Sequence, residues 1–475
     1  MCVNLSAKIT FRAILFAGFV GISTNVNAAP SLQDILLEKG VINQQDLRSI
    51  QNGSRSLEKI LLEKGLISQT DLSEITESKS SQVLDSPPVA SEKKDDEYSI
   101  ETGVKGLTIK SKDGDFKFGV GGRMQADANF FFPNKPYGNG AEIRRVRLKG
   151  YGTVWKDWDY KVEIDFAEEA ELTDGWLSYK GFDPFRIKVG HQKVPFGMQS
   201  ASSSNWQVFQ ERALTDSFID TGELGRRRLG VVGSWYGGDF FTVHTGIFGQ
   251  SVNDDGAFNQ SWGAASRVTW SPIVGKDELL HFGGSAYYRD FNDHNGLRFR
   301  ARPEAHISGV RLADTGTLSN ADDLIMANAE FSSVWGPFHA QGEFVSATVN
   351  QSNGFKDLHF DGWYFQTGYF LTGESRNYNK KSAQFKRIKP SSVVGQGGWG
   401  AWEIAARYSL IDLTSQGLQG GRERNFTFGL NWWANQNVLF RFNYVNAYAH
   451  PSSIRTLGGK NQSVNILEGR AQIVF

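Results

Sequence analysis

From about residue 115 to the last residue, apolar and polar side chains alternate with a period of two. In the first such segment Phe118, Val120, Met124 and Ala126 share one face, and Lys117, Arg123, Gln125 and Asp127 the other. In the last, Leu467, Ala471, Ile473 and Phe475 oppose Glu468, Arg470 and Gln472. Successive side chains of a strand point to opposite faces, so the pattern predicts strands with one apolar and one polar face. Sixteen such segments begin near residues 115, 143, 158, 172, 185, 226, 239, 262, 279, 322, 337, 358, 400, 424, 437 and 464. Several run for about ten residues, the length of a tilted strand that crosses a bilayer.

The connections alternate in length. Lys156-Asp157, Asp183-Pro184, Gly237-Gly238, Gly336-Pro337 and Asn435-Gln436 are tight turns. The opposite connections, Pro133–Glu142, Pro195–Gly225, Asn292–Asn320, Asp412–Arg424 and His450–Val464, are longer. Trp155, Trp158, Trp235, Tyr236, Trp270, Trp335, Phe338, Trp432 and Trp433 gather beside the tight turns, as an interfacial girdle does. The fold expected is all-β: a 16-stranded antiparallel transmembrane β-barrel over 106–475, apolar outside and polar inside. A soluble β-sandwich would instead turn its polar face outward.

The first hundred residues follow other patterns. Lys8 and Arg12 precede the apolar run Ala13–Ile22, and small residues end at Ala28. That predicts an export signal over 1–28, too short to span a bilayer. Residues 29–78 hold a duplicated unit, Ser31–Asn52 and Ser56–Glu77, with an offset of 25 residues (Ser31 to Ser56). Each copy predicts a short helix–turn–helix, with Gly40 placed to end the first helix of the first copy. A pair of such small units buries little core, so residues 30–96 are expected to meet a periplasmic or cell-wall partner or to self-associate. Residues 79–105, with Pro87-Pro88 and many Ser, Lys and Asp, predict a linker.

Composition narrows the function. Lys plus Arg number 51 and Asp plus Glu 51, which excludes a basic nucleic-acid binder. The single cysteine, Cys2, lies within the predicted signal, so disulfides and thiolate metal sites are excluded. The eight histidines form no ligand spacing, and Ser202–Ser204 has no histidine at a catalytic spacing. No enzyme, metal or cofactor is expected.

What remains is charge on the polar face. The run Arg144-Arg145-Val146-Arg147-Leu148-Lys149 puts Arg145, Arg147 and Lys149 in the lumen by the period of two, with Arg144 near the outer rim. A row of unpaired cations raises the local anion concentration. Arg298, Arg300 and Arg302 cluster in the long connection after the ninth strand. The connection after the fifth holds Ser202–Ser204, Trp206, Glu211 and Arg212 and is long enough to fold inward and narrow the barrel. The connection from about Thr372 to Gly400 lies on the tight-turn side yet is long; it carries Arg376, Lys380, Lys381, Lys386, Arg387 and Lys389. It is either a solvated loop touching periplasmic partners or a lysine-rich flap turned into the pore.

Nine segments together resemble the phosphate-selective porin O and P family: GGRMQAD (121–127), RRVRLKG (144–150), FRIKVGHQKVPFG (185–197), WQVFQERAL (206–214), RARPE (300–304), FLTGESRNY (370–378), IKPS (388–391), GAWEIAARYS (400–409) and FTFGLNWWAN (426–435). The resemblance spans about 120–475 and leaves out the duplicated unit. It implies a homotrimeric channel in outer-membrane lipid, without cofactor, passing small anions such as phosphate, polyphosphate and chloride. It also implies an arginine ladder leading to a constriction of lysines and serines. Arg123, Arg144, Arg145, Arg212, Arg300, Arg302, Ser203 and Ser204 hold matching positions, and Lys389 matches a constriction lysine. A second constriction lysine falls on Asn379, with Lys380 adjacent, and a third on Ser200. An acidic family position falls on Thr173, next to Asp174. A general porin with a tethering role for the repeats is the alternative.

Overall fold

The computed structural model describes residues 36–37, 39–51, 55–71, 73, 98–104, 106–221, 223–252, 260–291, 296–451, 453 and 457–475. The export signal expected over 1–28 and most of the expected linker lie outside these residues. The chain divides into two units, Met1–Lys94 and Asp95–Phe475.

In the first unit α1 (Gln44–Gln51) and α2 (Leu57–Glu63) are short helices. The duplication extends to hydrogen bonds. The Asp46 N–H donates to Asn43 Oδ1 (2.9 Å) and the Asn43 N–H to Asp46 Oδ2 (3.0 Å). At the equivalent positions Asp71 N–H donates to Ser68 Oγ (3.2 Å) and Ser68 N–H to Asp71 Oδ2 (2.7 Å). Each is a reciprocal cap that satisfies amides a helix start leaves open. Gly40 and Gly65 end the preceding turns at φ 68° and 70°.

The second unit is the barrel. Its strands are β1 (Lys117–Phe132), β2 (Gly140–Val154), β3 (Trp158–Asp165), β4 (Glu171–Phe182), β5 (Phe185–Lys193), β6 (Arg227–Gly237), β7 (Phe241–Phe248) and β8 (Gly263–Val274). They continue as β9 (Glu278–Asp290), β10 (Ala321–Trp335), β11 (Phe338–Gln351), β12 (Leu358–Phe370), β13 (Ala401–Ser415), β14 (Leu418–Trp433), β15 (Val438–Ala449) and β16 (Gln462–Val474). Each pairs antiparallel with the next, and β16 pairs with β1, from Arg123 opposite Val474 to Phe132 opposite Asn465. Closure leaves no strand edge in lipid, where an unpaired amide has no partner.

The faces follow the period of two. Met124, Leu148, Val189, Phe344, Phe428, Phe442 and Leu467 are exposed on the outside, while Gln125, Asp127, Arg407, Asn431, Arg441 and Arg470 are buried within. Trp155, Trp158, Trp235, Trp270 and Trp335 are exposed near the tight turns. Trp433 departs from the expected girdle: it is buried and packs with Phe370 and Ile388. Neighbouring residues of a strand face opposite ways, so Trp432 and Trp433 cannot both face lipid.

One expected loop is also absent. Asp412–Arg424 is strand nearly throughout: β13 runs to Ser415, β14 starts at Leu418, and Gln416 (φ 46°) and Gly417 (φ 88°) turn between them. Here Leu413 is buried inward and Arg422 is exposed outward, the reverse of the apolar-out pattern of the other strands, so the alternation that marks a lipid-facing strand fades.

Candidate functional site

Two connections fold inward from opposite ends of the barrel. The first, between β5 and β6, contains α3 (Met198–Ala201) and a single 3-10 turn, Leu214–Phe218. Its backbone is held by wall residues. Arg441 Nη1 donates to the Phe209 carbonyl (3.0 Å), Arg470 Nη1 to that of Gln210 (2.6 Å), Arg407 Nη1 to that of Glu211 (3.1 Å) and Asn431 Nδ2 to that of Val208 (2.8 Å). A loop crossing a lumen exposes carbonyls that strands would otherwise satisfy, and guanidinium groups, with five donors each, take that role. Lys193, at the end of β5, gives its ammonium to the carbonyls of Ser200, Ala201 and Ser202 at 2.9, 2.9 and 2.7 Å. Arg212 joins it at Gln199 and Ser202, both 3.1 Å, and burial beside Arg226 draws Arg212 down to about 10. It keeps its charge at neutral pH.

The second is the 372–400 connection. Arg267 Nη2 donates to the Ala383 carbonyl (2.9 Å), Tyr378 Oη lies 2.8 Å from His281 Nδ1, and Arg376 Nη2 donates to the Trp206 carbonyl (3.0 Å). Its one acid, Glu374, accepts from the Ser391 amide (2.9 Å) and hydroxyl (2.6 Å), and so ties the two ends of the turn. The connection is therefore folded inward, but its lysines, Lys380, Lys381, Lys386 and Lys389, stay exposed and line no part of the cavity it forms with the loop.

Loop and turn meet over a cavity of about 270 Å³. Ten cations line it: Arg123, Arg145, Arg147, Lys149, Lys161, Lys193, Arg212, Arg226, Arg227 and Arg387. Only two carboxylates do, Glu163 and Asp174, with Ser203, Ser204, Asn205 and Trp206 from the loop. Arg123 Nη1 donates to Ser204 Oγ (2.9 Å) and to Asn205 Oδ1. Its Nε, with Ser202 Oγ and Arg226 Nε, is buried without a protein partner. Above this neck, a cavity of about 180 Å³ mixes Arg144, Arg300, Arg302 and Arg311 with Glu211, Asp216, Asp220 and Glu304. Below it, one of about 310 Å³ is lined by Lys161, Arg186, Lys188, Lys193 and Arg267 against Asp174 alone. Cationic excess thus rises inward from the long-loop mouth and persists toward the tight-turn side.

The match to known families fits this arrangement. A model of the phosphate-selective porin O and P family matches residues 118–475. The chain belongs to that family. An uncharacterised protein of Caulobacter vibrioides is 29% identical over 381 residues, covering 76% of this chain and 75% of that one. Porin O of Pseudomonas aeruginosa is 27% identical over 380 residues, 72% of this chain and 85% of its own. Among solved structures, the anion-selective porin of Comamonas acidovorans shares the fold at TM-score 0.50, with 11% identity, 76% of this chain and 100% of that one covered. The protein is an outer-membrane porin.

In this porin the sequence-predicted residues fall into three groups. Arg123, Arg145, Arg147, Lys149, Arg212, Ser203, Ser204 and Arg387 line the neck. Arg144, Arg300 and Arg302 line the outer cavity. Arg298, Lys380 and Lys389 line neither: Arg298 is bound to Asp314 at 2.5 Å, Lys380 lies 3.4 Å from Asp239, and Lys389 is exposed beside the buried Ile388.

Two expectations about the arginine row change. The row is not unpaired: Arg147 binds Asp165 (2.6 Å) and Glu163 (3.1 Å), and Arg145 reaches Gln125 (2.9 Å) and Glu211 (4.0 Å). Lys149 alone has no carboxylate at ion-pair distance among the described residues; it stands 5.4 Å from the Tyr151 ring. Arg144 is not left at the rim. The β1–β2 register slips between Gln125 and Ala126, a bulge that turns Arg144 inward toward Glu211 at 3.1 Å. A second slip, between Glu163 and Ile164, buries both Thr173 and Asp174. Asp174 then accepts from Lys161 (2.5 Å) and Arg227 (2.9 Å) at the neck.

Lys193, Arg226 and Arg227 are neck residues that sequence reasoning missed. The run Arg226-Arg227-Arg228, at the start of a strand as Arg144–Arg147 is within one, was the available signal.

Proposed function

We propose that this porin is an anion-preferring channel that passes phosphate and related anions, and that it works as a homotrimer after export by the leader at 1–28. The observation that carries the reading is the neck, where ten cations face two carboxylates. Opposed to each other across a narrow lumen, these charges are screened less than at an open surface. Arg123 and Arg226 line this neck with Nε groups that no protein acceptor takes, and a phosphate offers several acceptor oxygens with one to two charges. The Lys193 ammonium spends its three donors on carbonyls, so it attracts an anion by charge without gripping it. Conduction needs such moderate sites, because an ion that binds deeply does not leave. Phosphate block of chloride current at roughly millimolar concentration fits a site of this kind.

The family match supports the phosphate reading. The duplicated unit would then sit in the periplasm and tether the barrel to a wall or protein partner. Reversal potential in planar bilayers under a KCl gradient, followed by phosphate competition, tests the channel reading. A potential on the potassium side would refute it.

A further inference from the structure

We propose that the hairpin preceding the barrel is a positioning element of the neck, holding Arg387 on the pathway so that a segment outside the barrel sets part of the ion preference. The inference rests on the anion preference proposed above. The family match begins at residue 118, after this hairpin.

The hairpin consists of Ser99–Gly103 paired with Gly106–Lys110. Its second arm continues onto β1, from Leu107 opposite Val120 to Lys110 opposite Lys117. The pairing of β16 with β1 ends with Phe475, whose carbonyl and amide bond Gly122 at 2.7 and 2.9 Å. The hairpin therefore takes over the edge of β1 where β16 runs out, and edge amides that would stand open are paired. Gly106 makes this approach at φ 88°, and a Cβ there would lie 2.1 Å from the Val120 carbonyl oxygen. Only glycine fits, so the turn is set in one place.

That placement presents the Val104 carbonyl. It accepts from Arg387 Nη1 and, at 3.4 Å, from Asn437 Nδ2. On its other side the Arg387 guanidinium lies 5.0 Å from the Trp206 ring of the inward loop. Among the described residues no carboxylate pairs with Arg387. It is thus held by a neutral carbonyl and an aromatic face, which orient a guanidinium without cancelling its charge. Without the carbonyl, this long, flexible side chain has one anchor fewer and spreads away from the neck.

The test uses full-length porin in planar bilayers under a KCl gradient. Residues 99–110 are replaced by an equal length of Gly and Ser, alone and with Arg387→Met. The replacement is expected to lower the chloride-to-potassium permeability ratio about twofold, Arg387→Met to do the same, and the combination to lower it no further. Gly106→Val, a single change that drives a side chain onto the Val120 carbonyl, is expected to repeat the first result. A wild-type ratio in either folded hairpin variant, or additive losses in the combination, overturns the proposal. A wild-type porin without anion preference refutes the function reading instead, and the two failures are distinct.

Discussion

Arg144 and Arg145 are neighbours in the chain, yet both turn toward one carboxylate: Arg144 Nε lies 3.1 Å and Arg145 Nη1 4.0 Å from Glu211 Oε1. A regular strand would send them to opposite faces. The bulge at Gln125/Ala126 gives both to the lumen, and Arg470 Nη2 completes the group at 2.8 Å. Burial works against the Glu211 charge, but Arg144, Arg145 and Arg470 outweigh it and hold this carboxyl well below the ordinary range.

Labelling can read that bulge. Single cysteines at 144, 145 and 147 should react with a charged, lumen-permeant thiol reagent, and those at 143 and 148 should react slowly, since Ile143 and Leu148 are exposed on the outer face. Fast labelling at 143 together with slow labelling at 144 would mean an unbroken period of two.

Glu211→Gln should release Arg144 and Arg145 into the pathway, while Arg470 stays on Asp127 at 2.6 Å. The chloride-to-potassium permeability ratio is expected to rise. Stability should fall by about 3 kcal/mol, because breaking a buried ion pair leaves uncompensated charge. A lowered ratio would show that Glu211 matters only by holding the loop in place.

Within the inward turn, Arg387 and Lys389 should part company. Arg387 lines the neck, whereas Lys389 is exposed outside that cavity. Arg387→Glu is expected to move the reversal potential toward cations by more than Lys389→Glu does. Equal shifts in the same bilayer measurement would place Lys389 on the pathway as well.

Arg123→Met removes a buried unpaired donor and the contact to Ser204. Phosphate should then block chloride current about tenfold less well, a loss of about 1.4 kcal/mol, typical of a charged hydrogen bond. Unchanged block would remove Arg123 from the anion site.

Acid should loosen the duplicated unit at its helix starts. The Asn43 amide, with Lys64 near, lowers Asp46 from 3.8, and the Ser68 amide and hydroxyl lower Asp71. A depressed folded value means the stabilisation is present above 3.8 and is lost as pH falls from there through the lower folded value. Hydrogen exchange at the Asn43, Asp46, Ser68 and Asp71 amides should therefore show less protection near pH 3 than at pH 6, beyond the intrinsic change in rate. Equal protection at both would mean the caps contribute nothing.

The sequence by itself determined the sixteen strands, their inward and outward faces and the tight-turn end, because side-chain alternation is local and lipid enforces it on every strand. Both the inward fold of the β5–β6 loop and the basic content of the 372–400 turn were legible from length and composition. Tertiary structure alone decided where the charges go. A bulge inserts one residue without any mark in the hydrophobic pattern, so the inward turn of Arg144 and the joint burial of Thr173 and Asp174 depended on pairing with the next strand. Pairing across the lumen was equally hidden: Glu211 meets Arg470 across 259 positions, and the Val104 carbonyl meets Arg387 across 283. Contacts so distant in sequence exist only once the barrel has closed, and they determine which cations stay bound to carboxylates and which face the ion.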